Sequence, residues 1–435
     1  METTAALEGL RCTACDASHD PAAVAGRCPE CAGPLVAAYD ATIDRGTLAD
    51  RRFDGLGRYA ELLPLASEAV PSLDEGTTPL VSCPTFADQL GVGAVYVKDE
   101  GANPTGTAED RGLALAVAAA RTHGATDVAL PTTGDAGQSA AAYAARAGLG
   151  AEAFVPTRST FVAKAMTNVH GGEMSVVEGR YPDAVAAFER AMADRTVAGE
   201  RRGGGDADSG DASDGADSTR ADSAGDAGDP EEASGEGDRW HSVAPFDTPY
   251  RNEGAKTLLF EVVEQLDWTV PDAVVHPTGH GLSVVGSHLA AEQLVATGLV
   301  DAIPALHVAQ PEACAPVVAA ADASADDTET WERPDTLVGA LEVPDPAGGA
   351  LALEAVRETG GRAVGVSDDD ALEAAVTLAG EGVEASATGG VGVAAAQALA
   401  AAGRFGSDAT VVLVNPVAGN KENDVLRSHL LRKGV

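Results

Sequence analysis

The chain has 435 residues, 45% of them hydrophobic, which is enough for a globular protein of more than one domain. Its 67 acidic residues outnumber 29 basic ones, and the net charge of −38 repels nucleic acids and anionic membranes. No stretch approaches the ~20 apolar residues that span a bilayer, and the N-terminus lacks the features of a signal peptide. We therefore expect a cytoplasmic protein with neither a nucleic-acid nor a membrane partner.

The first element in the chain is a pair of Cys-x2-Cys motifs separated by twelve residues: Cys12, Cys15, Cys28 and Cys31. Four thiolates at this spacing are typical of a structural zinc ribbon, so we predict a zinc ribbon over residues 1–38 with no open coordination position. A redox pair and two disulfides are the alternatives, and a reducing cytoplasm disfavours disulfides. The isolated Cys83 and Cys314 are interpreted as small buried hydrophobic residues.

The body of the protein, residues 39–198 and 240–435, alternates strands with alanine-rich helices. Buried strands are predicted at 95–99, 127–131, 153–156, 273–277 and 411–415, and helices at 112–123 and 137–148. This alternation predicts an α/β fold with parallel sheets that are covered on both faces. Ligands in such folds bind beyond the carboxyl ends of the strands, where this sequence has glycine-rich loops.

Residues 199–239 interrupt this alternation. The segment contains thirteen acidic and four basic residues and almost no apolar ones. Because it has little to bury, it is predicted to be a disordered acidic insertion and a solvated spacer.

The charge of the remaining residues is also strongly negative. Without the insertion the body still carries −29, and the whole chain has only five lysines. An ordinary acidic protein is one interpretation. A salt-adapted, halophilic cytoplasm is the interpretation that we favour, because at molar salt the Debye length is only ~3 Å and self-repulsion is screened.

The loop after the first predicted strand reads GANPTGTAEDRG, residues 101–112. It resembles the NPTGSFKDRG loop of threonine synthases, which are fold-type II enzymes that use pyridoxal 5′-phosphate (PLP). Residues 28–40 and 75–80 also resemble threonine synthase segments, so the resemblance covers nearly the whole chain except the insertion. It implies two doubly wound parallel sheets behind the zinc ribbon, and a homodimer is expected.

The resemblance also assigns Glu109 to the position of the family's Schiff-base lysine, so the amine that would carry PLP is missing. In the second loop, 133–138, Asp135 replaces an asparagine whose amide binds the PLP 3′-oxygen. An ionised carboxylate only accepts hydrogen bonds, so that bond is lost. In the fourth loop, 415–421, Pro416 replaces a threonine whose hydroxyl meets the pyridine nitrogen.

The third loop, 277–282, corresponds to the family's phosphate cradle. Its residues Gly279, His280, Gly281 and Leu282 stand where successive glycine amides would surround the phosphate. We expect His280 and Leu282 to place side chains in that space. The four loops therefore keep the family's PLP positions in degraded form.

The family reaction converts O-phosphohomoserine and water to threonine and phosphate. Since PLP performs the bond chemistry, we expect this copy to have lost or impaired catalysis and to act as a ligand-binding or regulatory pseudoenzyme. The alternative is an active PLP-dependent threonine synthase or lyase with a rearranged site. Lys98 and Lys421 are candidate replacement amines, but we interpret them as solvent-facing or strand-end residues. A zinc-ribbon nucleic-acid binder is disfavoured by the acidic surface.

Two interpretations of the degraded cleft remain open. Glu109 and His280 are either tolerated residues of an empty cleft or part of a site for a cationic, amine-bearing or amino-acid-like ligand. Arg111, two residues from Glu109, is a candidate partner for an acid there.

Overall fold

The structure is a computed structural model that describes residues 2–52, 55–203 and 239–434, with only the backbone described for 196–203. The described strands are β1 Leu7–Cys12, β2 Ser18–His19, β3 Leu35–Tyr39, β4 Leu80–Ser82, β5 Ala94–Asp99, β6 Asp127–Pro131, β7 Gly150–Pro156, β8 Glu173–Val177, β9 Trp240–Ser242, β10 Ala273–Pro277, β11 Ala305–Pro311, β12 Ala363–Val366 and β13 Thr410–Asn415. The described α-helices are α1 Arg45–Ala49, α2 Pro84–Leu90, α3 Glu109–Thr122, α4 Asp135–Ala147, α5 Phe161–Val169, α6 Tyr181–Gly203, α7 Tyr250–Ala255, α8 Thr257–Gln265, α9 Leu282–Ala296, α10 Pro316–Asp322, α11 Gly349–Glu358, α12 Asp368–Ala379, α13 Ala387–Ala401 and α14 Asn423–Arg432.

A six-stranded sheet in the order β12-β11-β10-β13-β5-β4 forms the larger half of the body, and all its pairs are parallel except β4 with β5. Its central strands are continuous apolar runs because both faces are covered. Val274 and Val412 pack with α8, α9 and α11 on one face. Val275 and Leu413 pack with α2, α12 and α13 on the other.

A four-stranded parallel sheet in the order β8-β7-β6-β9 forms the smaller half. Its strands lie in the chain between β5 and β10 of the larger sheet. Helices α3 and α4 cover one face, and α6 covers the other. The predicted α/β fold with two sheets, each covered on both faces, is confirmed.

The N-terminal sheet has three short antiparallel strands, β2-β1-β3. The sulfur atoms of the four cysteines approach one another at its end, with distances of 3.4 Å from Cys12 to Cys31 and 3.8 Å from Cys15 to Cys28. All four sulfurs lie within 4.8 Å of one another, and His19 Nε2 lies 3.3 Å from Cys28 Sγ. This geometry fits one tetrahedral metal ion.

Helix α6 continues to Gly203 and thus enters the segment that was predicted to be disordered from residue 199. Residues 204–238 of the segment lie outside the described residues. Among the described residues, no helix combines the length and the apolar character needed to cross a bilayer.

A buried charged cluster joins α3 to the larger half. The Arg111 guanidinium donates to Glu100 at 2.6 and 2.8 Å and to Glu261 on α8 at 2.7 and 2.8 Å. Lys98 Nζ donates to Glu261 at 2.7 Å. These side chains are almost fully buried, and each charge has hydrogen-bonded partners that offset its desolvation. The cluster fixes the start of α3, where the candidate site begins.

Candidate functional site

A cavity of about 140 Å³ lies between the two sheets, at the carboxyl ends of β5, β6, β10 and β13. This is the edge at which parallel α/β sheets place their ligands. All seven cavity positions that the sequence singled out line it: Glu109, Asp135, Gly279, His280, Gly281, Leu282 and Pro416.

Backbone hydrogen bonds bring the first and fourth loops together. The Ala108 N–H donates to the Pro416 carbonyl at 2.8 Å, and the Ala418 N–H donates to the Gly106 carbonyl at 2.9 Å. Helices α3, α4, α9 and α13 begin at the cavity wall. Their N-terminal N–H groups and dipoles make this wall favourable to negative charge.

Glu109 is the first residue of α3 and forms an ion pair with Arg251 on α7. The Arg251 side chain is 1% exposed, whereas that of Glu109 is 32% exposed. The helix dipole and the guanidinium both stabilise the carboxylate at this position. Arg111 pairs with acids, as suggested from the sequence, but its partners are Glu100 and Glu261, whereas Glu109 pairs with Arg251.

Asp135 is the first residue of α4, and its carboxylate lies 3.2 Å from Lys421 Nζ. Both side chains are largely buried, at 16% and 7% exposure. Each acid that the sequence placed in the cavity therefore has an internal cationic partner. The negative charges of Glu109 and Asp135 are thus compensated within the protein.

His280 connects the third loop to the rest of the cavity wall. Its Nδ1 accepts the Ala347 N–H at 3.2 Å, so the neutral ring carries its proton on Nε2 and donates to the Tyr181 hydroxyl at 2.7 Å. Burial and the nearby Arg251 charge lower the pKa of His280 to about 3. Burial raises the pKa of Tyr181. His280 thus connects the third loop to the start of α6.

The third loop keeps part of a glycine cradle. Gly281 has φ = 98°, a left-handed conformation that favours glycine, and it precedes α9, which has no side-chain cap. Leu282 lines the cavity and also packs against the core of the larger half. The loop still presents uncapped backbone N–H groups.

Asp110 is fully buried and follows Glu109 in the sequence. It accepts hydrogen bonds from the Thr105 N–H and hydroxyl and from the Ser139 hydroxyl, at 2.6 to 2.7 Å. Burial raises its pKa to about 6 despite these bonds. Asp110 thus holds the first loop to α4.

None of the described residues that line the cavity is a lysine. Lys98 lies near the end of β5 but is fully buried beside Glu261, and Lys421 is paired with Asp135 in an adjoining recess of about 120 Å³. Lys98 is therefore a strand-end residue, in agreement with one of the two interpretations, and neither lysine faces solvent. Lys421 is the lysine whose contacts reach a cavity residue.

Sequence reasoning missed Arg251 and Tyr181. Arg251 lies in a short helix without a recognisable motif and meets Glu109 across 142 residues of chain. Tyr181 begins α6 and meets His280 across 99 residues. No local pattern marks either residue, so only the assembled fold identifies them.

A family model described as "Pyridoxal-phosphate dependent enzyme" matches residues 71–416. Threonine synthase from Methanosarcina acetivorans is 29% identical over 409 residues, which cover 93% of this chain and 90% of that protein. Threonine synthase from Bacillus sp. is 30% identical over 375 residues, 85% of this chain and 90% of that protein.

The fold comparison agrees with these sequence matches. Diaminopropionate ammonia lyase from Escherichia coli superposes with a TM-score of 0.63 at 17% identity, covering 83% of this chain and 89% of that one. At this identity the likeness concerns the fold alone.

Proposed function

The chain belongs to the threonine synthase family of pyridoxal-phosphate dependent enzymes, and on that premise we propose that it is a member without Schiff-base chemistry that binds a small ligand noncovalently. In this role it is a ligand-binding or regulatory protein that responds to its ligand through oligomerisation. The observation that carries the proposal is the ion pair of Glu109 with Arg251, which occupies the position of the family's lysine.

The residues present do not fit PLP in its family mode. No described cavity residue offers an amine, and Pro416 has no hydroxyl for the pyridine nitrogen. Asp135 accepts hydrogen bonds where an amide donor is needed, and its carboxylate is engaged with Lys421. Of the loop positions that hold PLP in the family, only the cradle before α9 retains the character of a phosphate site. No catalytic step through PLP is therefore derived for this chain.

A second candidate function is supported by Lys421. Its amine is buried and lies 3.2 Å from Asp135, a cavity residue, so a side-chain movement would bring it into the cavity. The alternative to noncovalent ligand binding is therefore an active PLP enzyme that uses Lys421 as its Schiff-base lysine. Lys421→Arg keeps the positive charge next to Asp135 but removes the amine. This variant therefore distinguishes an active PLP enzyme from a noncovalent ligand-binding protein.

We also propose that the four-cysteine cluster holds one structural Zn²⁺. The sulfur geometry supports this, and a complete set of four thiolates leaves no position for a reacting group. The ion would stabilise the ribbon and take no part in the chemistry of the cavity.

An activity assay tests the proposal. With PLP and O-phosphohomoserine, the zinc-loaded protein is expected to release neither threonine nor phosphate, measured by amino-acid analysis and a phosphate assay. Release at an ordinary enzymatic rate, abolished by Lys421→Arg, would establish the second candidate instead.

A further inference from the structure

Arg251 has a buried guanidinium with an incomplete set of partners. Its Nη1 donates to the Val243 carbonyl at 3.0 Å and its Nη2 donates to Glu109. Its Nε is buried and has no hydrogen-bond partner among the described residues. A buried donor without an acceptor is unfavourable, so this edge of the guanidinium is suited to a further acceptor.

The Nε–Nη2 edge is one of the two edges of arginine that bind an oxyanion with two parallel hydrogen bonds. Glu109 uses only Nη2 of that edge, and about a third of its side chain is exposed. A ligand carboxylate or phosphate can therefore replace Glu109 on Nη2 and also supply the acceptor that Nε lacks. Glu109 is free to turn toward solvent when it is displaced.

The rest of the cavity is compatible with a negative ligand. Helices α4 and α9 begin at its wall without side-chain caps, and their N-termini carry partial positive charge. Asp135, the other acid among the singled-out cavity residues, is neutralised by Lys421. His280, which lies near Arg251, is neutral and therefore does not repel a negative ligand.

We propose that the cavity recognises a small molecule through an anionic group, a carboxylate or a phosphate, bound to Nε and Nη2 of Arg251, and that Glu109 is an internal competitor for this site. The inference rests on the proposed noncovalent function and names its ligand class. It replaces the expectation of a cationic ligand, because the Glu109 charge that suggested one is already paired.

The test measures binding of inorganic phosphate, acetate and ethylammonium by isothermal titration calorimetry at constant ionic strength. Glu109→Gln removes the competing charge and is expected to bind phosphate or acetate about tenfold more tightly than the wild type, because one charge-assisted hydrogen bond no longer has to be exchanged. The ratio of the phosphate and acetate affinities identifies the preferred oxyanion.

Glu373→Gln is the matched control. Glu373 pairs with Lys433 at the protein surface, so its substitution changes the net charge equally without touching the cavity. It should bind all three probes as the wild type does. Adding Arg251→Lys to Glu109→Gln should abolish the gain, and the melting temperature of each variant verifies that it is folded.

The proposal is overturned if Glu109→Gln binds anions no more tightly than the wild type, or if neither protein binds them. Ethylammonium binding that Glu109→Gln abolishes would also overturn it. Formation of a covalent PLP adduct is measured separately in the wild type. An adduct would contradict the proposed noncovalent function, whereas a lack of anion binding without an adduct would contradict only the proposed ligand class.

Discussion

Glu109 is stabilised where the family resemblance implies a cation. The carboxylate lies at the positive end of α3 and contacts the buried Arg251 guanidinium. Placing a lysine there would bring two cations together and leave Arg251 without a carboxylate, which is costly for a buried charge. The single substitution Glu109→Lys therefore does not regenerate the family's site, because Arg251 and Glu109 act as a unit.

His280 provides a residue-scale prediction about pH. Its pKa of about 3 in the folded protein lies below the unfolded value near 6.5, so the unfolded state binds more protons in this interval. The free energy of unfolding should therefore fall as the pH falls from about 6 to 4. Compared with His280→Gln, the wild type should lose about 1.4 kcal/mol more per pH unit, measured by urea denaturation.

The comparison of the two proteins isolates His280 from other groups. His276 also makes the free energy of unfolding fall as the pH falls, because burial lowers its pKa to about 3. Asp110 has the opposite effect, because burial raises its pKa to about 6. These contributions cancel in the difference between variant and wild type. Equal slopes for both proteins would show that His280 does not stay neutral in the folded state.

The sequence located the cavity residues but not their partners. Glu109, Asp135, His280 and Pro416 follow recognisable strands, and the carboxyl ends of parallel strands meet at one edge. Asp135 meets Lys421 across 286 residues of chain, a pairing that no local spacing encodes. The positions of the charged residues in the cleft were therefore predictable from the sequence, whereas their pairing was not.

At the scale of elements, the strands that carry the site were predictable. β6 and β10 match their predicted ranges because buried parallel strands are short, continuous apolar runs. β11, by contrast, contains His307 and Gln310, and β12 has only four residues, so periodicity did not mark either. The start of α3 lies three residues before the predicted one, which places Glu109 inside the helix.

The zinc ribbon gives the element-scale prediction. One Zn²⁺ per chain should be present, and Cys12→Ser should lose most of it, because three thiolates bind the ion less tightly than four. Elemental analysis of purified protein measures the stoichiometry. Cys83→Ser, which alters a buried cysteine away from the ribbon, is the control.

The ribbon prediction has a clear opposite result. Zinc content that is unchanged in Cys12→Ser, or a wild type that contains no zinc after purification with added zinc, would contradict the proposed zinc site. Loss of zinc from Cys83→Ser would show that the ion is bound elsewhere.

At the scale of the whole molecule, the net charge of −38 should make stability depend on salt. Self-repulsion between surface carboxylates extends ~10 Å at 0.1 M salt and only ~3 Å at 1 M. The melting temperature should therefore rise by several degrees between 0.1 M and 2 M KCl, measured by calorimetry. Buried pairs such as Arg111 with Glu261 are screened much less, so they do not reverse the trend.

The salt prediction is specific to charge screening. KCl avoids the strong surface exclusion that sulfate would add. A melting temperature that is constant or falls with KCl would contradict the expectation of a salt-adapted protein.

The most direct test of the noncovalent cavity is a search for a PLP–lysine adduct in the unmodified protein. Zinc-loaded protein is mixed with PLP in high salt, reduced with borohydride, and mapped by peptide mass spectrometry. Lys433 is about half exposed and serves as the internal measure of nonspecific labelling. We predict no aldimine absorbance band and no labelling of Lys421 above that of Lys433. A stoichiometric adduct on Lys421 or Lys98, with its absorbance band, would contradict the account.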